Sequence, residues 1–230
     1  MVKVLADTEH HCIRRYDPAK ETNLRRALAI LRREGARSCA VRLQSALGWR
    51  RLTLLVSDVG DPQPVVESVP SLKTVELVES DMERYLSLRP EQDPDLVRRR
   101  FRCGQRCIAV LRDDRVVGAS WTATGQVEVV FLHAMLHVSP GTIYIYDTFV
   151  DPRYRGHGIS PALTEEIRRI AGTAGDQTLL RGVFPANRPA MRANAKSGFK
   201  PAGEIGSIRI GSWQRCYART KLPLRFCQLA

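Results

Sequence analysis

The sequence predicts an α/β protein in which helices pack against one mixed (α+β type) sheet, and three observations carry that prediction. A β-type run at Thr142–Val150 leads through a glycine loop (Gly156, Gly158) into a helical pattern at Ile159–Ile170. A buried strand at Gln177–Phe184, a short helix opening at Asn187 and two strands at Ile205–Ile210 and Trp213–Thr220 follow. Ahead of both lie two short helices and a hairpin. Strands and helices in this alternation place the chain in the α/β class.

Each element has a local cause. Leu72–Val78 is apolar enough for a strand. Asp81–Leu88 and Asp95–Arg102 read as helices separated by Pro90 and Pro94, with Asp93 placed to cap the second. Arg106–Leu111 and Val116–Thr124 form a hairpin around Asp113 and Asp114, and Val127–Val138 reads as one further strand. After the glycine loop, Ile159, Leu163, Ile167 and Ile170 recur at helical spacing, opposite Glu165, Glu166, Arg168 and Arg169. Pro161 falls in the first turn, where a missing N–H costs nothing, and Ser160 is the expected cap. Pro189 opens the next helix and Gly198 ends it.

The segment Val150-Asp-Pro-Arg-Tyr-Arg-Gly-His-Gly-Ile-Ser160 carries the chemistry. Glycines at 156 and 158 let the backbone turn its N–H groups toward an anion, and the helix start adds the positive end of its dipole. A dinucleotide fingerprint would need a third glycine where Pro161 stands, and no Gly-Lys-Ser/Thr triplet marks a P-loop. The run R-x-x-G-x-G after Val-Asp-Pro resembles motif A of the GNAT (Gcn5-related N-acetyltransferase) superfamily. Asn187-x-x-Ala190 with Gly198-Phe199 resembles that family's second signature, and Val116-Val117-Gly118 its second strand. The resemblance spans about residues 72–220.

It implies a GNAT acyl-CoA N-acyltransferase fold that takes acetyl-CoA as donor and an amine as acceptor, with no metal. By the same resemblance Arg153, Arg155, Gly156, His157, Gly158, Ile159 and Ser160 surround the cofactor pyrophosphate, and the helix opened by Asn187 lies along the pantetheine arm. Phe149 and Val150 then stand beside the thioester, where a strand splay makes room and a backbone N–H polarises the carbonyl. Such a donor contributes about 2.7–4 kcal/mol to catalysis.

An attacking amine must also lose a proton. Asp147, a carboxylate in an apolar and aromatic strand, is the first candidate base or else a structural acceptor; it is expected on one strand face with Ile143, Ile145 and Phe149. Glu128 and His133 are alternatives. His133 and His137 would share a face of a regular strand, without a third ligand for zinc. Many family members carry a tyrosine four residues before the glycine, where it protonates the departing thiolate; here that residue is Asn194, which has no proton to give at neutral pH. Water or Tyr217 would then act, or the thiolate leaves unassisted. Three functions stay open: an acetyl-CoA-dependent N-acetyltransferase working by direct attack in a ternary complex, a longer-chain acyltransferase fed by acyl-CoA or acyl-carrier protein, and a non-catalytic acyl-CoA sensor. A channel near Phe149, Phe184 and Phe199 would favour the second.

Residues 71–230 are read as the acetyltransferase domain and 1–70 as an N-terminal extension. The extension holds a helix at Glu21–Glu34, strands at Ser38–Leu43 and Arg51–Val56, and a proline-rich linker at Val59–Pro70. It is either a degenerate half-copy of the fold or an addition shaping the acceptor pocket or a homodimer contact. The net charge of +12 is +4 in residues 1–70 and +8 beyond. That excess suits an anionic cofactor, and no helix-turn-helix, zinc-finger or RNP-type pattern points to nucleic acid. The cluster Arg98-Arg99-Arg100 with Arg102 reads as a solvated helix face. No membrane span or signal peptide is legible, and six cysteines without a C-x-x-C pair read as reduced, so a cytoplasmic location is expected.

Overall fold

A computed structural model describes residues 48–61 and 72–229. Eight strands form the main sheet: β1 (Trp49–Asp58), β2 (Lys73–Leu77), β3 (Arg106–Arg112), β4 (Arg115–Ala123), β7 (Thr142–Val150), β8 (Thr178–Val183), β9 (Lys200–Ile210) and β10 (Trp213–Thr220). Their order is β10-β9-β1-β8-β7-β4-β3-β2. A smaller sheet joins β5 (Gln126–Val129), β6 (Ala134–Val138) and β11 (Leu224–Gln228) in the order β11-β6-β5. The helices are α1 (Met82–Leu88), α2 (Pro94–Arg102), α3 (Ile159–Ala174) and α4 (Arg188–Lys196).

The sheet is mixed as expected, with a single parallel pair, β7 with β8, joined by the α3 crossover. The β3–β4 turn rests on Asp113 and Asp114, at φ 50° and 58°, the left-handed pair that a two-residue hairpin needs. One face of the sheet (Leu55, Ile108, Val117, Ile143, Ile145, Leu179) packs on Leu163 and Ile167 of α3 and on Met191 of α4. The other face is shared. Tyr85 of α1 and Val97 of α2 cover Trp121, Cys107 and Ala109, while Leu136 and Val127 of the small sheet cover Leu54, Tyr144 and Leu180.

Several expectations need correction. Val127–Val138 is not one strand: a 3-10 turn at Val130–Leu132 and His133 at φ 48° break it into β5 and β6, so His133 and His137 do not share a regular strand face. The extension strand expected at Arg51–Val56 is β1, hydrogen-bonded to both β8 and β9 in the middle of the main sheet. The boundary at 70/71 therefore cuts through the sheet. β1 alternates Leu52 and Leu54 toward one core with Leu55 toward the other, which suits a strand buried on both faces. The strand β11 was not anticipated. The predicted helix at Glu21–Glu34 and strand at Ser38–Leu43 lie outside the described residues, as does most of the linker. Cys107, Cys216 and Cys227 are free thiols, whereas Cys103 is disulfide-bonded, because spacing along the chain does not report which cysteines a fold brings together.

Gly118 is where α3 meets the sheet: a Cβ there would stand 2.5 Å from Cγ2 of Ile159. Gly118→Ala is expected to destabilise the fold by about 1–3 kcal/mol through this overlap, as measured by urea unfolding.

Candidate functional site

The site begins where two neighbouring strands part. The β7–β8 ladder runs from Thr142↔Thr178 to Ile145↔Arg181 and stops. Both strands continue, β7 along β4 as far as Gly118↔Val150 and β8 along β1 as far as Thr53↔Val183. Residues 146–150 are thus unpaired on the β8 side, and a wedge opens in the sheet. Phe149 and Val150 border it.

At the mouth of the wedge lies the glycine loop. Asp151 accepts from the Arg153 N–H at 3.0 Å and starts the 3-10 turn Pro152–Tyr154. Gly156 and Gly158 follow at φ 85° and 74°, a region closed to most side chains, and nothing lies within 4 Å of where a Gly156 Cβ would project. The helix cap is Gly158 rather than Ser160, since α3 starts at Ile159, and no side chain accepts from its first turn. Among the described residues, the N–H groups of Gly156, His157, Gly158, Ile159 and Ser160 have no protein acceptor, and Pro161 has no N–H to satisfy. Five adjacent donors at the positive end of a 16-residue helix suit a phosphate-bearing ligand. His157 and Arg155 are exposed; the Arg155 guanidinium reaches the Val150 carbonyl at 3.4 Å. The Arg153 guanidinium clamps Asp151 at 2.6 and 3.1 Å.

Asp147 does not share a face with Ile143 and Ile145. The β4–β7 register shifts between Ala119↔Phe149 and Trp121↔Tyr146, so Asp147 and Thr148 together oppose Ser120 in a bulge, with Asp147 at φ 47°. The bulge turns its carboxylate toward α1 and α2. There it accepts from Arg100 at 2.7 Å, from Arg89 at 3.0 Å and from the Tyr85 hydroxyl at 3.4 Å. Arg100 lies 5.2 Å from the Trp121 ring and 5.1 Å from Tyr146, and Arg89 stacks 4.5 Å from Phe149. Burial opposes the Asp147 charge, but the two guanidiniums outweigh it and hold the carboxyl below its ordinary range. A carboxylate so held and so fully hydrogen-bonded is a poor proton acceptor; it anchors the bulge to the helices. Glu128 differs: burial raises its carboxyl, against the nearby charges of Arg99 and Arg100. The arginine cluster on α2 is solvated only in part: Arg100 turns inward to Asp147, while Arg98 pairs with Asp95 and Arg102 with Glu79 at the surface.

On the opposite face of the sheet, Asn187 caps α4 by accepting from the Ala190 N–H at 3.1 Å, so its oxygen is already used. Asn194 is buried on the inward side with Ala190 and Met191, as its spacing predicts. Its oxygen accepts from Arg181 at 2.7 Å and its amide donates to the Ala190 carbonyl at 2.8 Å. Arg181 was not singled out by sequence reasoning, although a charge inside Thr178-Leu-Leu-Arg-Gly-Val183 was the available signal. Tyr217 lies on β10, with β9 and β1 between it and β8, on the order of 14 Å from that strand at ordinary spacing. Its hydroxyl accepts from the Trp49 indole at 3.0 Å, and it does not join the wedge. The three phenylalanines do not line one channel: Phe149 lies under Arg89, Phe184 packs edge-on against Phe131, and Phe199 sits in the α3/α4 core. No group of three metal-ligating side chains converges among the described residues.

A parallel crossover, an uncapped helix start and a wedge between the crossover strands place a row of open N–H groups beside a gap in the sheet. The pattern of the acetyltransferase (GNAT) family matches residues 74–199, more than half of the chain, and the protein belongs to that family. No protein of curated function matches it. Among solved structures, a putative GNAT-family acetyltransferase from Novosphingobium aromaticivorans is 19% identical with a TM-score of 0.48, over 69% of this chain and 65% of the other. An N-acetyltransferase from Staphylococcus aureus is 17% identical with a TM-score of 0.47, over 69% of this chain and 99% of the other. An aminoglycoside acetyltransferase from an uncultured soil metagenomic sample, solved with sisomicin, is 17% identical with a TM-score of 0.44, over 55% of this chain and 87% of the other.

Asp147→Asn should destabilise the fold by about 3 kcal/mol, because the buried Arg100 loses its counter-charge and Arg89 keeps only Glu91. The Asp147 carboxyl is more acidic folded than unfolded, so its contribution is complete above the unfolded value of 3.8 and is lost as pH falls through the folded one. Urea midpoints measured from pH 7 downward should show that acid loss in the wild type and a weaker one in the variant.

Proposed function

We propose that the protein is an acetyl-CoA-dependent N-acetyltransferase that moves an acetyl group to a primary amine by direct attack in a ternary complex. The observation that carries this is the row of unaccepted N–H groups at residues 156–160 beside the end of the β7–β8 ladder. Those donors suit a pyrophosphate, and the wedge suits a slender arm that takes up the backbone groups left unpaired when two strands diverge. Within the wedge, a backbone N–H of the Phe149–Val150 stretch is the donor for the thioester oxygen, held by the Asp147 bulge rather than by a mobile side chain.

The amine must arrive neutral. Asp147 is committed to Arg89 and Arg100, so we assign proton acceptance to Glu128, a partly buried carboxylate on β5 within the field of Arg99 and Arg100, whose affinity for a proton is raised by burial. Family membership supports an amine as the acceptor, and the surfaces around the wedge on the α1/α2 side would select it.

Two variants test this. His157→Glu adds a negative charge to the open loop without altering its backbone, and at the mouth of an uncapped helix it should leave the melting temperature unchanged or raised. Calorimetric affinity for acetyl-CoA should fall at least about tenfold; unchanged affinity would sink the pyrophosphate assignment. Glu128→Gln should lower turnover about a hundredfold or more at neutral pH while acetyl-CoA affinity holds, and a retained pH–rate profile would place the base elsewhere.

A further inference from the structure

Arg181 is a buried cation without a counter-ion. It stands on the last rung of the β7–β8 ladder, at the apex of the wedge, and is 6% exposed. Its side chain points between α3 and α4, lying 4.9 Å from the Phe199 ring. Its two terminal nitrogens donate to neutral oxygens, Asn194 Oδ1 at 2.7 Å and Thr164 Oγ1 at 3.0 Å. Its Nε has no partner. Burial and the neighbouring Arg168 push its pKa down to about 10, and no acidic group acts on it.

Both acceptors are themselves locked. Thr164 donates its hydroxyl proton to the Ser160 carbonyl at 2.9 Å, and Asn194 donates to Ala190. Arg168, the other buried arginine of this face, contrasts with it: the carbonyl of Asp58, the Ser57 hydroxyl and, at 3.9 Å, the Glu165 carboxylate surround that one. An unpaired guanidinium is costly to bury, and a charge arriving with a ligand would offset that cost.

We propose that Arg181 is the electrostatic partner of the thiolate that leaves coenzyme A, oriented by Asn194 and Thr164. This rests on the acetyl-CoA reading above. In the reaction the amine nitrogen forms a bond to the acetyl carbon and the carbon–sulfur bond breaks with its electron pair on sulfur. The nitrogen's proton passes to the base and then to solvent. No acid is then needed at position 194: Arg181 holds the sulfur as an anion until release, when solvent protonates it. Asn194 serves as a positioning residue whose oxygen fixes one guanidinium nitrogen, which is why an amide stands there.

The test is a pH titration of thiolate absorbance in the complex of the whole protein with free coenzyme A, blanked against the complex with desulfo-coenzyme A. Binding of both is followed by calorimetry in the same samples. The bound thiol should titrate at least about one unit below its free value, meaning tenfold more thiolate at a given pH in the acid limb. Arg181→Gln should abolish the depression with coenzyme A still bound, and Arg181→Lys should restore part of it. A bound thiol that titrates at its free value in the wild type overturns the proposal without any variant. A depression that survives in Arg181→Gln overturns it as well. Failure of coenzyme A to bind the wild type at all would remove the donor reading, and this proposal with it.

Discussion

The site hangs on one buried carboxylate. Asp147 occupies a left-handed backbone conformation that a non-glycine residue adopts only at a cost, and Arg89 and Arg100 offset that cost. Arg89 follows α1, Arg100 belongs to α2, and the Tyr85 hydroxyl of α1 completes the set. A single residue on β7 thereby ties both helices to the strand that borders the wedge. Because the bulge sits between the paired half of β7 and its free half, it also sets the angle at which the free half leaves β8. Weakening the ion pairs would loosen the gap as well as the helices.

The two faces of the sheet have different electrostatic tasks. On the α1/α2 face, positive charge is matched against Asp147 and stacked on Trp121, Tyr146 and Phe149, so it contributes order rather than reactivity. On the α3/α4 face, positive charge is left unmatched: open N–H groups at the start of α3 and the solitary guanidinium of Arg181. An anionic ligand entering the wedge would meet the second set.

Much of this was legible from one-dimensional pattern. The glycine loop, the α3 periodicity, the Asp113-Asp114 turn and the Pro189 and Gly198 boundaries rest on backbone preferences that act within a few residues. The errors share another cause. His133 breaks a strand that its composition would continue, the cap of α3 moves from Ser160 to Gly158, and Tyr217 falls three strands away from where its chemistry was wanted. Each depends on which segments lie side by side, and periodicity carries no such information.

Sequence alone therefore determined the class of fold, the crossover unit and the glycine loop with its open N–H groups, because each follows from local sterics and hydrogen-bonding capacity. It also marked residues 147 and 194 as exceptional, as a charge in an apolar strand and an amide where a proton donor was expected. Only the tertiary structure decided what they do. Asp147 became an anchor because α1 and α2 deliver two arginines to it from 58 and 47 residues away. Asn194 became a rest for Arg181 because β8 and α4 pack against each other, and β1 entered the sheet because β8 and β9 left room between them. Charge pairing and strand neighbourhood are properties of contact in space, and they come into being when the chain closes on itself.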